Sequence, residues 1–203
     1  ANWARVFPDS NTVEAPFAAP GGKVMVQMMN VTSDLGYAEG DGWQAVDVPY
    51  VFGGLSFTAM TGTDDDSLLT TGDEVFAALT VRPVTLGLPR FDIETSTSLK
   101  DVLGAMGMAG AFSEGADFSG MTAEKPGLSI GDVIHQANIT VDEQGTEAAA
   151  ATAVIMVATA APAEPPVPVV FTIDRPFTFW LRDRATGTII FAGRVNDPSA
   201  TRG

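Results

Sequence analysis

Residues 143–171 read EQGTEAAAATAVIMVATAAPAEPPVPVVF, a stretch that combines more incompatible structural signals than any other in the chain. The alanine run 148–151 favours a helix, the aliphatic run 154–157 favours a strand, and the prolines between 162 and 168 cannot donate hydrogen bonds to a sheet. Connections longer than about 12–15 residues without regular structure are usually functional loops or linkers. We therefore predict that this stretch is a functional segment between two strand regions.

The composition of the whole chain limits the classes of function that it can have. The chain has 203 residues, 45% of them hydrophobic, which is enough to bury a core. The net charge of −14 argues against a nucleic-acid partner and against attraction to an anionic membrane. The absence of cysteine excludes disulfides, thiolate metal sites and cysteine nucleophiles. No apolar run approaches the roughly 20 residues that span a bilayer, and no signal peptide is visible.

Strand patterns occupy most of the chain on either side of the segment. Residues 23–29, 45–50 and 55–60 predict an antiparallel meander, with the turn-rich stretch 36–43 after the first strand. A hairpin is predicted over 177–195. Further elements are a strand at 76–81, a short strand at 91–94, helical spacing at 98–104 and a strand region at 128–141.

Candidate metal sites are weak in this sequence. The run Asp64, Asp65 and Asp66 lacks the ligand spacing of a calcium loop and is predicted to be a solvated loop. Met25, Met28 and Met29 have no histidine or cysteine nearby and are predicted to lie in the core, so that no cofactor is expected. 

Catalytic motifs are also missing. The chain has one histidine, His135, which falls among apolar neighbours and is predicted to be a hydrogen-bonded core residue. No G-x-S-x-G motif, phosphate-binding loop or dinucleotide fingerprint is present. Paired carboxylates for hydrolysis remain open, but no spacing singles out a pair. We therefore expect a protein that is not an enzyme.

The segment Glu143-Gln-Gly-Thr-Glu-Ala-Ala-Ala-Ala-Thr-Ala153 resembles the reactive-loop hinge of inhibitory serpins of the bacterial type. Other serpin-like landmarks occur in the expected order over the whole chain, at residues 2–3, 16–17, 26–29, 49–50, 88–91, 116–121, 128–135, 176–177 and 191–195. The resemblance implies an α+β serpin fold with mostly antiparallel sheets, few helices and an exposed reactive-centre loop at about residues 144–170. It also implies that residues 1–203 are the C-terminal portion of a single serpin domain, whose N-terminal half is a separate chain or a missing segment.

The activity implied by the resemblance is inhibition of a serine endopeptidase by a suicide-substrate mechanism, in which the cleaved loop inserts into the central sheet and carries a covalently bound protease. The implied cleaved bond is Thr159–Ala160, within a few residues, and the small side chains around it suit an elastase-like or subtilisin-like protease. The implied hinge comprises Glu143, Gly145, Thr146, Glu147, Ala148, Ala149, Ala150, Ala151 and Thr152.

Alternation along the hinge fits strand insertion. Thr146, Ala148, Ala150 and Thr152 would enter the sheet interior, whereas Glu147 would face solvent. The resemblance also places Trp3 in the region where the sheet opens, called the breach, and His135 in the shutter beneath it. It implies an extracellular protein. The alternatives are a non-inhibitory serpin-fold carrier, which the alanine-rich hinge disfavours, and a secreted β module with an Ala/Pro linker.

Overall fold

A computed structural model describes residues 1–62, 68–121, 127–146 and 166–200. The chain divides into two compact units, one formed by residues 1–92 and 139–203 and the other by residues 93–138. The predicted solvated loop at Asp64, Asp65 and Asp66 lies outside the described residues.

Ten strands and two helices follow one another in the described residues. They are β1 (Val13–Ala19), β2 (Gly22–Gly40), β3 (Trp43–Pro49), β4 (Leu55–Thr61), α1 (Leu68–Ala78), β5 (Thr80–Pro89), β6 (Phe91–Ser98), α2 (Lys100–Leu103), β7 (Ile134–Val141), β8 (Val169–Thr172), β9 (Phe177–Asp183) and β10 (Ile189–Val195). In the described part of the chain, no helix is long and apolar enough to cross a membrane.

The first unit contains an eight-stranded sheet with the order β10-β9-β4-β3-β2-β5-β8, and β1 pairs with β2. Its described neighbours are antiparallel except β5 and β8, which run parallel. The 19-residue β2 pairs with β5 along much of its length, with β1 near its start and with β3 at its end. β6 and β7 form a separate two-stranded sheet. The predicted meander β2-β3-β4 and the antiparallel pairing of β9 with β10 are confirmed.

The prediction that residues 36–43 separate two strands is wrong, because β2 continues to Gly40 before the chain turns. Gly36 pairs with Asp47 of β3, and a Cβ at Gly36 would lie 2.9 Å from the Cβ of Asp47. Glycine inside a strand often marks such a close approach. Gly36 therefore allows β2 and β3 to approach closely, and it does not end the strand.

Residues 76–81 are also not a strand, because α1 extends to Ala78 and β5 begins at Thr80. Val75 is buried against the sheet with Trp180, and the ring of Phe76 meets Trp180 edge-on at 5.6 Å. These two adjacent apolar residues anchor the end of the helix. At Val75 and Phe76, packing against Trp180 favours the helix over the strand that local β propensity predicts.

The methionine prediction is confirmed in part. Met28 and Met29 are buried in the core, whereas Met25 is 52% exposed. Side chains of a strand alternate between its two faces, so that Met25 and Met29 lie on the same face. That face is covered at Met29 and open to solvent at Met25.

A charged cluster lies within the sheet of the first unit. Asp47 is buried, accepts a hydrogen bond from Thr58 Oγ1 at 2.6 Å, and forms ion pairs with Arg182 at 3.3 Å and Arg184 at 3.9 Å. The guanidinium of Arg182 also lies 4.3 Å from the ring centroid of Phe76. The buried carboxylate is therefore compensated by two cations and a hydroxyl, as a buried charge requires.

The second unit contains α2, which confirms the helical spacing predicted at 98–104. A π-helical turn, Gly104–Met108, and a 3-10 turn, Ala109–Phe112, follow it. The strand predicted at 91–94 extends to Ser98 as β6, while the region predicted at 128–141 is a strand only from Ile134.

Candidate functional site

The hinge predicted from the sequence begins where β7 ends, and the chain turns back there beside its own N-terminal residues. Gly145 forms an antiparallel bridge with Asn2, and Thr146 forms one with Val141, the last residue of β7. The backbone N–H of Thr146 donates to the carbonyl of Ala1 at 2.8 Å, and the backbone nitrogen of Ala1 donates to the carbonyl of Thr146. The first hinge residues are therefore joined to the end of β7 and to residues 1–2 by β-bridges.

A turn centred on Asp142 produces this reversal. Its Oδ1 accepts hydrogen bonds from the backbone N–H groups of Gln144 at 2.9 Å and Gly145 at 3.0 Å. The N–H of Asp142 donates in return to the carbonyl of Gly145 at 3.0 Å. Aspartate commonly bonds to backbone N–H groups two or three residues ahead, which stabilises tight turns. Asp142 thus fixes the direction in which the hinge leaves β7.

Only glycine fits at position 145, because the neighbouring backbone leaves no room for a side chain. A Cβ at this position would overlap the carbonyl oxygen of Ala1 and would lie 2.8 Å from the Cα of Asn2. A glycine allows two backbones to approach where any side chain would separate them. The glycine therefore permits the pairing between the hinge and the N-terminal residues.

Trp3 and Tyr50 form an aromatic floor under the hinge. Their rings are stacked with centroids 4.7 Å apart, and both side chains are buried. Trp3 Nε1 donates to the carbonyl of Asp142 at 2.8 Å, and the Tyr50 hydroxyl lies 2.5 Å from Thr146 Oγ1. Burial raises the pKa of Tyr50 above the usual tyrosine range, and the hydrogen bond with Thr146 offsets this in part.

Glu143 is held on the other side of the turn. Its Oε1 accepts a hydrogen bond from Thr12 Oγ1 at 2.8 Å, and its Oε2 lies 3.9 Å from Nη1 of Arg90. Its backbone carbonyl accepts from the N–H of Phe7 at 3.0 Å. The Glu143 side chain is only 12% exposed, so that these partners compensate a carboxylate largely removed from water.

The far end of the predicted loop is anchored in the large sheet. β8 pairs in parallel with β5, with Val169 opposite Val84 and Phe171 opposite Leu86. Phe171 is buried and Val170 is 72% exposed, as expected for an edge strand with one covered face. Both ends of the predicted loop are therefore tied to regular structure.

The structure brings together four of the residues singled out from the sequence, namely Trp3, Glu143, Gly145 and Thr146. The remaining hinge residues Glu147, Ala148, Ala149, Ala150, Ala151 and Thr152 and the implied bond Thr159–Ala160 lie outside the described residues. Sequence reasoning assigned no role to Tyr50, Arg90 or Asp142. An acidic residue before a glycine signals the turn at Asp142, but nothing local to Tyr50 or Arg90 indicates their contacts with the hinge.

The prediction for His135 as a buried core residue is wrong, because its side chain is exposed in β7. His135 lies in the strand as predicted, but the described residues do not cover its side chain. The implied shutter role remains a prediction.

Comparisons with known proteins agree with this geometry. A family model described as Serpin (serine protease inhibitor) matches residues 1–198. An uncharacterized serpin-like protein of Thermococcus kodakarensis is 40% identical over 205 residues, which cover 98% of this chain and 47% of that protein. The native-state crystal structure of the thermophilic serpin Tengpin superposes with a TM-score of 0.77 at 28% identity, covering 97% of this chain and 53% of that one.

A structure of thyroxine-binding globulin in complex with thyroxine has a TM-score of 0.79 at 26% identity, covering 98% of this chain and 54% of that one. The chain spans about half the length of the curated relatives it matches. Since the family model covers nearly the whole chain and relatives share the sequence along its length, this chain belongs to the serpin family of serine protease inhibitors.

Proposed function

We propose that this chain is the C-terminal part of an inhibitory serpin, which acts on a serine endopeptidase as a suicide substrate. The observation that carries the proposal is the seating of Thr146. Its backbone bridges to Val141 and pairs with Ala1, and this arrangement supports strand addition that starts at the hinge. Strand addition of the following residues would extend this pairing one residue at a time.

The composition of the hinge supports the proposal. Residues 147–153 are small apart from Glu147, and small side chains can enter a sheet interior with little steric cost. Glu147 alternates with Thr146 and would remain on the solvent side. A proteolytic cut beyond this stretch would free its end, and insertion would then move the attached protease away from its original position.

The proposed cleaved bond is Thr159–Ala160. The candidates from Val157 to Ala161 are all small or aliphatic, which suits a protease with a small or shallow primary pocket. We accordingly propose an elastase-like or subtilisin-like target and an extracellular site of action.

The proposal is tested with a full-length protein that contains this chain together with the N-terminal half of the fold. The protein is mixed with an elastase-like, a subtilisin-like and a trypsin-like protease, and the products are separated on a denaturing gel. We expect a covalent complex with one of the first two proteases. A serine protease inactivated at its catalytic serine is the control, because no acyl bond can form with it. Complete loop cleavage with free, active protease in every mixture would refute the proposal.

A non-inhibitory carrier is the second candidate, and the superposition on thyroxine-binding globulin is the observation that favours it. The two candidates differ at the hinge, because a carrier does not require small residues that can enter a sheet. A carrier would be cleaved in the loop without trapping the protease, and the same gel therefore separates the two functions.

A further inference from the structure

A cleft of about 470 Å³ lies in the first unit, apart from the floor formed by Trp3 and Tyr50. It lies where the beginning of β2, the junction of β5 and β6, the end of β7 and the C-terminal turn meet. Its lining residues all belong to the first compact unit. A volume of several hundred cubic ångströms is typical of sites for small molecules.

Backbone and side-chain hydrogen bonds hold the walls of the cleft. The N–H of Arg90 donates to the carbonyl of Gln27 at 2.8 Å, which joins the β5–β6 junction to β2. In the C-terminal turn, Asp197 Oδ1 accepts from the N–H of Ser199 at 2.9 Å and from its hydroxyl at 2.6 Å. The walls are thus formed by the fold before any ligand binds.

The positive charge of Arg90 gives the cleft a preference for anionic ligands. Arg90 is the one cation among its described lining residues, and its side chain is 57% exposed. Within the described part of the chain, its guanidinium forms an ion pair with Glu143 at 3.9 Å, which is longer than a hydrogen bond. A guanidinium has five N–H donors, so that this one long contact leaves donors for a ligand. The carboxylate of Asp92, which also lines the cleft, accepts a hydrogen bond from Thr140 Oγ1 at 2.9 Å.

Apolar surface lies beside this cation. Met25 is 52% exposed on the wall formed by β2, and Pro198 lines the cleft from the C-terminal turn. Methionine adapts its shape to flat apolar groups, including aromatic rings. We propose that the cleft binds a small carboxylic acid with an apolar body, whose carboxylate pairs with Arg90 and whose body packs on Met25 and Pro198.

Such a ligand would also act on the hinge. The carboxylate of the ligand and that of Glu143 would lie beside the same guanidinium and repel each other, and Glu143 is two residues from Gly145 in the bridged part of the hinge. Coupling between two sites is reciprocal. If the bound ligand weakens the contact between Arg90 and Glu143, that contact weakens the binding of the ligand by the same free energy. Removing the charge of Glu143 should therefore tighten ligand binding.

The test measures binding of benzoate by the full-length protein without any protease, using NMR chemical-shift titration, with benzamide as the uncharged probe of nearly the same shape. We expect benzoate to bind and benzamide to bind about tenfold more weakly or not at all. Arg90→Gln should weaken benzoate binding by about tenfold or more, since it removes a charged hydrogen-bond donor. The matched control is Arg175→Gln, which neutralises an exposed arginine paired with Asp174.

Glu143→Gln separates a ligand site from a purely structural role of Arg90. It breaks the same ion pair as Arg90→Gln but keeps the cation, and we expect it to bind benzoate more tightly than the parent protein. Equal binding of benzoate and benzamide, unchanged binding in Arg90→Gln, or loss of binding in Glu143→Gln would each overturn the proposal. Because no protease is present, failure here leaves the inhibitor proposal unaffected.

Discussion

The hydroxyl of Tyr50 lies 2.5 Å from Oγ1 of Thr146, although 96 positions separate the two residues in the chain. Thr146 is half-buried at this contact, and its backbone is paired on both sides, with Val141 and with Ala1. The Thr146 side chain therefore lies at a site whose size and polarity fit a hydroxyl group.

Thr146→Arg should convert the proposed inhibitor into a substrate. A long cation at this position cannot occupy the space beside the Tyr50 hydroxyl and would be costly to bury without a partner. We expect cleavage of the loop at the parental rate but little or no covalent complex on a denaturing gel. Glu147→Arg is the control, since the alternating pattern places residue 147 on the solvent side. An undiminished yield of complex in Thr146→Arg would contradict the hinge assignment.

Gly145→Ala should loosen the hinge. The added methyl group would overlap the carbonyl of Ala1, and the backbone would have to shift. We expect a loss of about 1–3 kcal/mol in the free energy of unfolding, measured by urea denaturation. Gly21→Ala is the matched control, because a Cβ there meets no atom within 4 Å. Equal stabilities of the two variants would mean that the close approach at Gly145 is unimportant.

Asp47→Ala should destabilise the large sheet. It leaves the guanidinium of Arg182, which is 12% exposed, without its carboxylate. Removing one partner of a buried ion pair costs about 3–5 kcal/mol. Asp174→Ala breaks an exposed pair with Arg175 and should cost at most about 1 kcal/mol. The prediction fails if urea denaturation gives similar midpoints for the two variants.

Alkaline pH should destabilise the protein through Tyr50. Burial raises the pKa of Tyr50 above the ordinary value of 10.0, so that the folded protein keeps a proton that the unfolded chain loses. The contribution of Tyr50 is therefore complete below pH 10 and decreases as the pH rises beyond it. Urea midpoints measured from pH 8 to 11 should fall less steeply in Tyr50→Phe than in the parent protein. The pKa of Tyr37 is also raised by burial, but it contributes equally to both curves.

Periodicity and turn residues were sufficient to predict the meander, the final hairpin and the short helix α2. They failed where packing decides the local structure. Val75 and Phe76 look like the start of a strand but end a helix on Trp180, and Gly36 looks like a turn but lies inside β2. The local sequence of a helix or strand does not show which other element it packs against.

The sequence singled out the hinge stretch and Trp3, but not the other residues that contact the hinge. Gly145 and Thr146 were predicted within the hinge motif, but several of their partners, such as Asn2 and Tyr50, are distant in sequence. The topology of the sheet brings Tyr50 beneath the hinge, and Arg90 reaches Glu143 from the junction of β5 and β6. Such contacts follow from the fold as a whole and cannot be found by spacing along the chain.

The position of β9 has a consequence for the products of proteolysis. β9 follows the predicted loop in sequence, yet it lies between β4 and β10 and contributes Phe179 and Trp180 to the core. β8, also beyond the loop, pairs with β5. A cut in the loop would thus divide the covalent chain without dividing the folded molecule, because the residues after the cut are hydrogen-bonded into a sheet built by the residues before it.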